Sequence, residues 1–530
     1  MSAHPAPPPR PPAWLPIASM AMAMIVLVVH LGITVMETDR ALVTFDSAEY
    51  AVAGRTTARL GRLATTFVLP HESVLPAEPP FPLILGHPLV PLANALAFRL
   101  GGEHGALTLV LPGLALVLLA GVVTALAGAL GAGPGAAFAA ACAVVLHPLV
   151  LRYASEGLTE LPFTLALAAA ALVLTVAPGR GRAFAFGLVL GMAHLARPVM
   201  VPLLPAWLLA LALVAPAGRR WRAVAWALAA FAPFAGALAT YKALAAGDAF
   251  ADIARYNLLI GLDPRYTPLT VQCAVTLPQP LVFLRAHPAA FMGKLAHGLP
   301  GLLVTSFGQA GLLAPLALAG TGAGLARRER RGVALALTGS ALLLALLVAA
   351  SLPSRRYLVP LLPLEIAFGF AALDRIARRV GLGPPLLTAL ALALATVTSA
   401  WPTARDWRWA FTRHVRDRGE FTETEWRRAG AQIALRVPPG ALIVSDAGAF
   451  VAWYADRPAV LLPQRPADLV TLARRLPVDA LVLTDEWLLD QPGFEGWHAI
   501  TGGGAAPDGW KAVAPVAAGR LHAVVLLRTR

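Results

Sequence analysis

The chain has 530 residues, 58% hydrophobic and 14% charged, with a formal charge of +14 at pH 7. Soluble domains carry roughly 25% charged residues, so this composition excludes a protein that is soluble along its whole length. The basic residues form neither a continuous face nor a tail, and most sit in short runs between apolar segments. That distribution argues against nucleic acid as a partner and for a membrane.

Residues 1–13, within "MSAHPAPPPRPPAW", form a Pro-rich tail expected to be disordered and cytoplasmic. The apolar run 14–36 is too long for a signal-peptide core and reads as an uncleaved first span. Further spans are expected at 105–130, 136–152, 159–177, 183–196, 198–215, 222–242, 305–325, 332–351, 357–374 and 384–401. The fold class is therefore a polytopic α-helical membrane protein with about 11 transmembrane helices.

Four Arg-rich connections, 178–182, 218–222, 327–331 and 375–379, fall on one side when the spans alternate. The positive-inside rule makes that side cytoplasmic. The chain is then a multi-pass protein of the inner or plasma membrane, with a cytoplasmic N-terminus and everything after 401 extracytoplasmic. Two long outer loops, 37–104 and 243–304, interrupt the domain 14–401. Loops of that length inside a compact protein are usually functional or disordered. The apolar segment 87–102 is short for a span and reads as a helix lying along the outer surface.

From 402 to 530 the composition changes. β-like runs at 441–446, 459–463, 480–484 and 522–527 alternate with helical stretches at 447–455 and 466–476, which predicts a small extracytoplasmic α/β domain. No G-x-G-x-x-G sequence opens it, so nucleotide binding is unsupported. Cys142 sits in an apolar run and Cys273 in a loop, which leaves no disulfide framework and no cysteine metal site.

The informative charges fall on the outer side. Asp46 and Glu49 follow the first span in "LVTFDSAEYAVAGR". Arg152, Glu156 and Glu160 lie at the join of the third and fourth spans, His87 opens the surface helix, and Arg355, Arg356 and Tyr357 precede the tenth span. If the backbone there is helical, Asp46/Glu49 and Glu156/Glu160 each share a face. A single outer-loop acid is more often solvated, and an Arg pair at a membrane edge is more often an anchor. Acidic and basic groups recurring on one side favour a site.

This order of motifs resembles the glycosyltransferase C (GT-C) superfamily, over about residues 40–530. The superfamily includes protein O-mannosyltransferases and aminoarabinose transferases, which take sugars from polyprenyl-phosphate donors. Asp46 matches the family's acidic residue after the first span, and His87 in "GHPLVPLANALAFRLGG" matches its basic residue before proline. Glu160 matches the second acidic position, with Glu156 as a rival, and "RRYLVPLLPLEIAFGFAALD" resembles the Arg-Tyr segment near the lipid phosphate. The family often has Asp and Glu adjacent, whereas Asp46 and Glu49 are three apart, and the second site lacks an Asp-x-Asp.

The resemblance implies transfer of a sugar from a polyprenyl-phosphate-linked donor, embedded among membrane lipid, to an acceptor lipid, glycan or protein. Asp46 and Glu160 are the expected catalytic residues, Asp46 as general base. Glu49, His87, Glu156, Arg355, Arg356 and Tyr357 are the expected substrate-binding residues, with Lys294 assisting at the phosphate. A loosely held divalent cation is compatible with these residues and not required by them. Two other classes fit the composition: a multi-spanning transporter or lipid flippase, and a scaffold whose C-terminal domain binds a partner.

Overall fold

A computed structural model describes residues 11–38, 41–71, 78–84, 87–175, 179–352, 354–400, 421–484, 488–503 and 505–529. The first ten residues of the Pro-rich tail and the segment 401–420 lie outside the described residues. Among those described, five helices are long and apolar enough to cross a membrane: Trp14–Thr34, Gly105–Ala129, Ala217–Ala246, Arg328–Ala350 and Arg356–Arg379. Two bent helix pairs raise the number to seven if each pair is one span, and shorter apolar helices include Glu160–Leu174 and Met200–Val214.

The bends have local causes. Pro134–Val145 and Pro148–Ser155 meet at 55°, where His147 is extended ahead of Pro148. Pro288–Gly308 and Gly311–Ala326 meet at 96°, so the apolar run 305–325 is not one straight helix. A third break changes the reading of the second acidic pair. The helix Pro148–Ser155 ends at Glu156, Gly157 takes a left-handed conformation at φ 67°, and a new helix starts at Glu160. Glu156 and Glu160 therefore do not share a helix face, which corrects the i, i+4 expectation.

The chain divides into two compact units. One comprises residues 1–32, 111–238 and 293–407 and is helical. In it the helix Met200–Val214 packs along Arg328–Ala350, and Ala314–Ala326 along Leu362–Arg379. With little hydrophobic driving force between helices in lipid, small residues and polar contacts hold such pairs together. Trp207 Nε1 donates to Ser340 Oγ at 2.9 Å, and Thr124 Oγ1 to Ser19 Oγ at 2.7 Å.

The other unit comprises residues 33–110, 239–292 and 408–530. Its first helix, Phe45–Leu60, starts at a capping box: Thr44 Oγ1 accepts from the Ser47 amide at 3.1 Å, and Ser47 Oγ from the Thr44 amide at 2.9 Å. The helix packs on Leu89–Gly101. Gly54 permits this approach, since a Cβ there would fall 2.5 Å from Asn94 Cβ.

The strands of this unit are β1 (Ala64–Thr65), β2 (Phe67–Val68), β3 (Phe81–Pro82), β4 (Leu442–Ser445), β5 (Ala459–Leu461), β6 (Val478–Thr484), β7 (Trp510–Ala512), β8 (Val516–Ala518) and β9 (Leu521–Arg528). A seven-stranded sheet runs β2-β5-β4-β6-β9-β7, with β8 also on β9. Pairing from β2 to β6 is parallel, and β9 is antiparallel to β6. The parallel strands need crossover helices, which Gly448–Tyr454 and Pro466–Arg475 supply. The four β-like runs of the C-terminal segment are β4, β5, β6 and β9. The long connection 37–104 also contributes a strand to that sheet, with Phe67 opposite Ala459 and Val68 opposite Val460.

Buried aromatic stacking and one arginine consolidate the unit. Trp426 lies against Phe450 and Tyr454, with ring centroids 5.2 and 6.0 Å apart. Arg55, buried on the first helix, donates to the carbonyls of Trp453 at 2.8 Å and Ala452 at 2.6 Å, at the C-terminal end of Gly448–Tyr454. Its guanidinium also lies 4.7 Å from the Trp453 ring centroid.

Candidate active site

In the helical unit two arginines converge on one carboxylate. Glu160 sits in the first turn of Glu160–Leu174, where the helix dipole favours negative charge. Arg197 follows the helix Arg180–Ala196 in extended conformation ahead of Pro198. Arg356 and Tyr357 belong to the 3-10 turn Arg355–Leu361, just before Leu362–Arg379. Both guanidiniums converge on Glu160 Oε1, Arg197 at 2.5 Å and Arg356 at 2.8 Å. Arg197 also donates to Thr159 Oγ1 at 2.9 Å. Tyr357 borders both cations, its ring centroid 5.2 Å from the Arg197 guanidinium and 5.7 Å from that of Arg356.

Exposure separates the roles of these groups. The Glu160 side chain is 0% exposed, Arg197 6% and Arg356 35%. A charge this deep survives only when it is paired. One carboxylate facing two guanidiniums leaves a single positive charge, and Arg356 is the member that solvent reaches. A guanidinium that solvent reaches can meet an anion in the paired geometry that suits phosphate. Glu160 thus reaches outside groups through its arginines.

Glu156 belongs to a separate pair. It accepts from Arg152 Nε at 2.6 Å, with Arg152 42% exposed and Glu156 6%. Tyr153 beside them is buried. Lys294 donates to the carbonyls of Ala350 and Ser351, each at 2.7 Å, and so caps the C-terminus of Arg328–Ala350. The side chain of Arg355 lies outside the described residues.

The other unit carries the first acidic motif. Asp46 and Glu49 are both half-buried in the first turns of Phe45–Leu60, three apart and so on one face. Tyr50 is buried beside them, and its carbonyl accepts from Asn94 Nδ2 at 3.3 Å. His87 is half-buried next to Pro88, the N-cap of Leu89–Gly101. Among the described residues no group of three or more His, Cys, Asp or Glu is placed to hold a metal ion.

Arg197 is the member of the charged cluster that sequence reasoning did not select; it falls between the expected spans 183–196 and 198–215. Its signal was an isolated cation flanked by apolar runs, which in a membrane protein marks a functional or paired position.

No protein-family model and no curated protein sequence matches the chain. Solved structures do. The chain is similar to ArnT from Cupriavidus metallidurans bound to undecaprenyl phosphate, with 15% identity, 96% of this chain and 97% of that chain covered, and TM-score 0.55. It is similar to the Archaeoglobus fulgidus oligosaccharyltransferase in complex with Zn and sulfate, at 15% identity, 86% and 67% coverage and TM-score 0.52. It is also similar to a mutant form of the arabinofuranosyltransferase AftD from Mycobacteria, at 16% identity and TM-score 0.50, covering 99% of this chain and 42% of that one.

Proposed function

The chain has the GT-C fold, and from that premise we propose that it is a membrane glycosyltransferase moving a sugar from a polyprenyl-phosphate donor to an acceptor on the outer face. The observation that carries this reading is the half-exposed Arg356, held by a buried carboxylate it shares with Arg197. The donor phosphate is assigned to Arg356, with Arg355, Tyr357 and His87 contributing. In this reading Glu160 is a positioning residue, and Arg197 its buried counter-charge. Glu49 and Glu156 help seat the acceptor. The C-terminal segment is extracytoplasmic and the N-terminus cytoplasmic, in an inner or plasma membrane.

The chemistry follows from the groups. Asp46 takes the proton of the acceptor hydroxyl as its oxygen attacks the anomeric carbon. The bond from that carbon to the phosphate oxygen breaks, and its electron pair leaves with the lipid phosphate. Guanidinium charge stabilises the departing phosphate, so no strong general acid is needed. A single in-line displacement inverts the anomeric carbon.

The test is purification with native lipids, identification of bound polyprenyl-phosphate sugar by mass spectrometry, and turnover of that donor. Asp46→Asn is expected to lose about 10²–10⁴ in rate while retaining the donor. A folded Asp46→Asn protein with full activity overturns the base assignment. The bent helix pairs favour a second reading, since broken helices also mark transporters. Uptake or lipid flipping in vesicles without a glycosylated product would decide for that reading.

A further inference from the structure

The unit that contains the seven-stranded sheet holds a cavity of about 600 Å³, within the usual range of ligand sites. One wall is the loop around Arg265, Tyr266 and Thr276; the other carries Gln464, Arg465 and Glu495. Gln464 lies just past the carboxyl end of β5, and open sheets with parallel strands bind ligands outside those ends. The loop is fastened to the sheet there. The Gln464 amide N–H donates to the Cys273 carbonyl at 3.3 Å, and Arg475 Nη1 to the Val275 carbonyl at 3.3 Å.

The arginines of the cavity each face a carboxylate already. Arg265 is paired with Asp263 at 3.0 and 2.8 Å, and Arg465 with Asp468 at 3.0 Å through both nitrogens. Glu495 accepts from the Gly493 amide at 2.9 and 3.0 Å. No strong net field remains to select an anion, yet donors and acceptors line both walls. The side-chain amide of Gln464 makes no hydrogen bond among the described residues. It lies over the bare backbone of Gly493, where a Cβ would come within 2.1 Å of Nε2. Tyr266 presents a ring fixed edge-on by Phe283 at 5.5 Å, which is itself stacked on His287 at 4.2 Å.

A ligand rich in hydroxyls satisfies such a lining. Each hydroxyl both donates and accepts, which matches neutralised ion pairs and a spare amide. Its C–H faces suit an aromatic ring. A phosphate would find each arginine matched by its own carboxylate. We infer that this cavity binds a neutral saccharide. On the proposed transferase reading, which this assignment deepens, that saccharide is the acceptor chain.

The experiment uses the full-length protein in lipid nanodiscs on an array of defined neutral, uronate-bearing and sulfated oligosaccharides. Retention by neutral members is expected, reduced at least tenfold in Gln464→Ala and in Tyr266→Ala with the melting temperature unchanged. The inference is overturned by no retention on neutral members, by retention on acidic members alone, or by equal retention in both variants. Binding needs no turnover, so the two readings fail separately. A protein that retains sugars but transfers none sinks the transferase reading. An active transferase whose Gln464 and Tyr266 variants match the parent in binding and in acceptor KM sinks the saccharide site.

Discussion

Two buried arginines are stabilised differently in the two units. In the helical unit Arg197 faces a carboxylate of 0% exposure that also holds Arg356. In the sheet-containing unit Arg55 is equally buried but rests on the carbonyls ending a helix, on the Trp453 ring and on the half-exposed Asp456 at 3.1 Å. Partial burial pushes the Asp456 carboxyl up, but Arg55 and Arg59 together carry it below the usual carboxylate range. Arg197, set among apolar helices whose backbone groups are mostly bonded to each other, is met by a charge. At the end of a short helix beside a sheet, unsatisfied carbonyls can do the same work.

The largest test of this contrast is Glu160→Gln. It leaves two guanidiniums facing a neutral amide, and breaking a buried pair costs about 3–5 kcal/mol. Thermal unfolding of the full chain in detergent should fall sharply, with partial recovery when Arg197→Met is added. A parental melting temperature in Glu160→Gln would mean that the charges are not compensating each other. Arg55→Ala should cost less, about 2–3 kcal/mol, because its partners are carbonyls that water can re-solvate. Hydrogen exchange across β4 and β5 reads that loss, and unchanged protection there would remove Arg55 from the account.

The third test is a pH slope. Burial pushes the Asp446 carboxyl up to about 7, against hydrogen bonds from the Thr484 amide at 2.9 Å and hydroxyl at 2.7 Å. The unfolded carboxyl loses its proton near pH 4, about its ordinary value, while the folded one keeps it to about 7. Between those values the folded state binds more protons, so stability declines as pH rises, by at most about 1.4 kcal/mol per pH unit. Asp446→Asn should flatten that slope in the exchange protection of β4 and β6. A parental slope in the variant would place the titrating group elsewhere.

What local patterning encodes was legible from the chain alone. Long apolar runs could satisfy their backbone in lipid only as helices, and the short β-like runs after 440 became β4, β5, β6 and β9. Asp46 and Glu49 were placed on one face because a helix through that stretch fixes their spacing. Where a single residue breaks the period, the reading failed: Gly157 at φ 67° separates Glu156 from Glu160.

Contacts across long sequence separations came only with tertiary structure. Arg197, Arg356 and Glu160 meet on one oxygen although they belong to three different elements. The two-residue strand β2 joins β5 across most of the chain. The physical reason is the same in both cases. Periodicity reports which face of an element is apolar, but the partner of a buried charge or of an unpaired strand edge depends on which elements pack together. That choice is made by the sum of many long-range contacts, and no short stretch of sequence carries it.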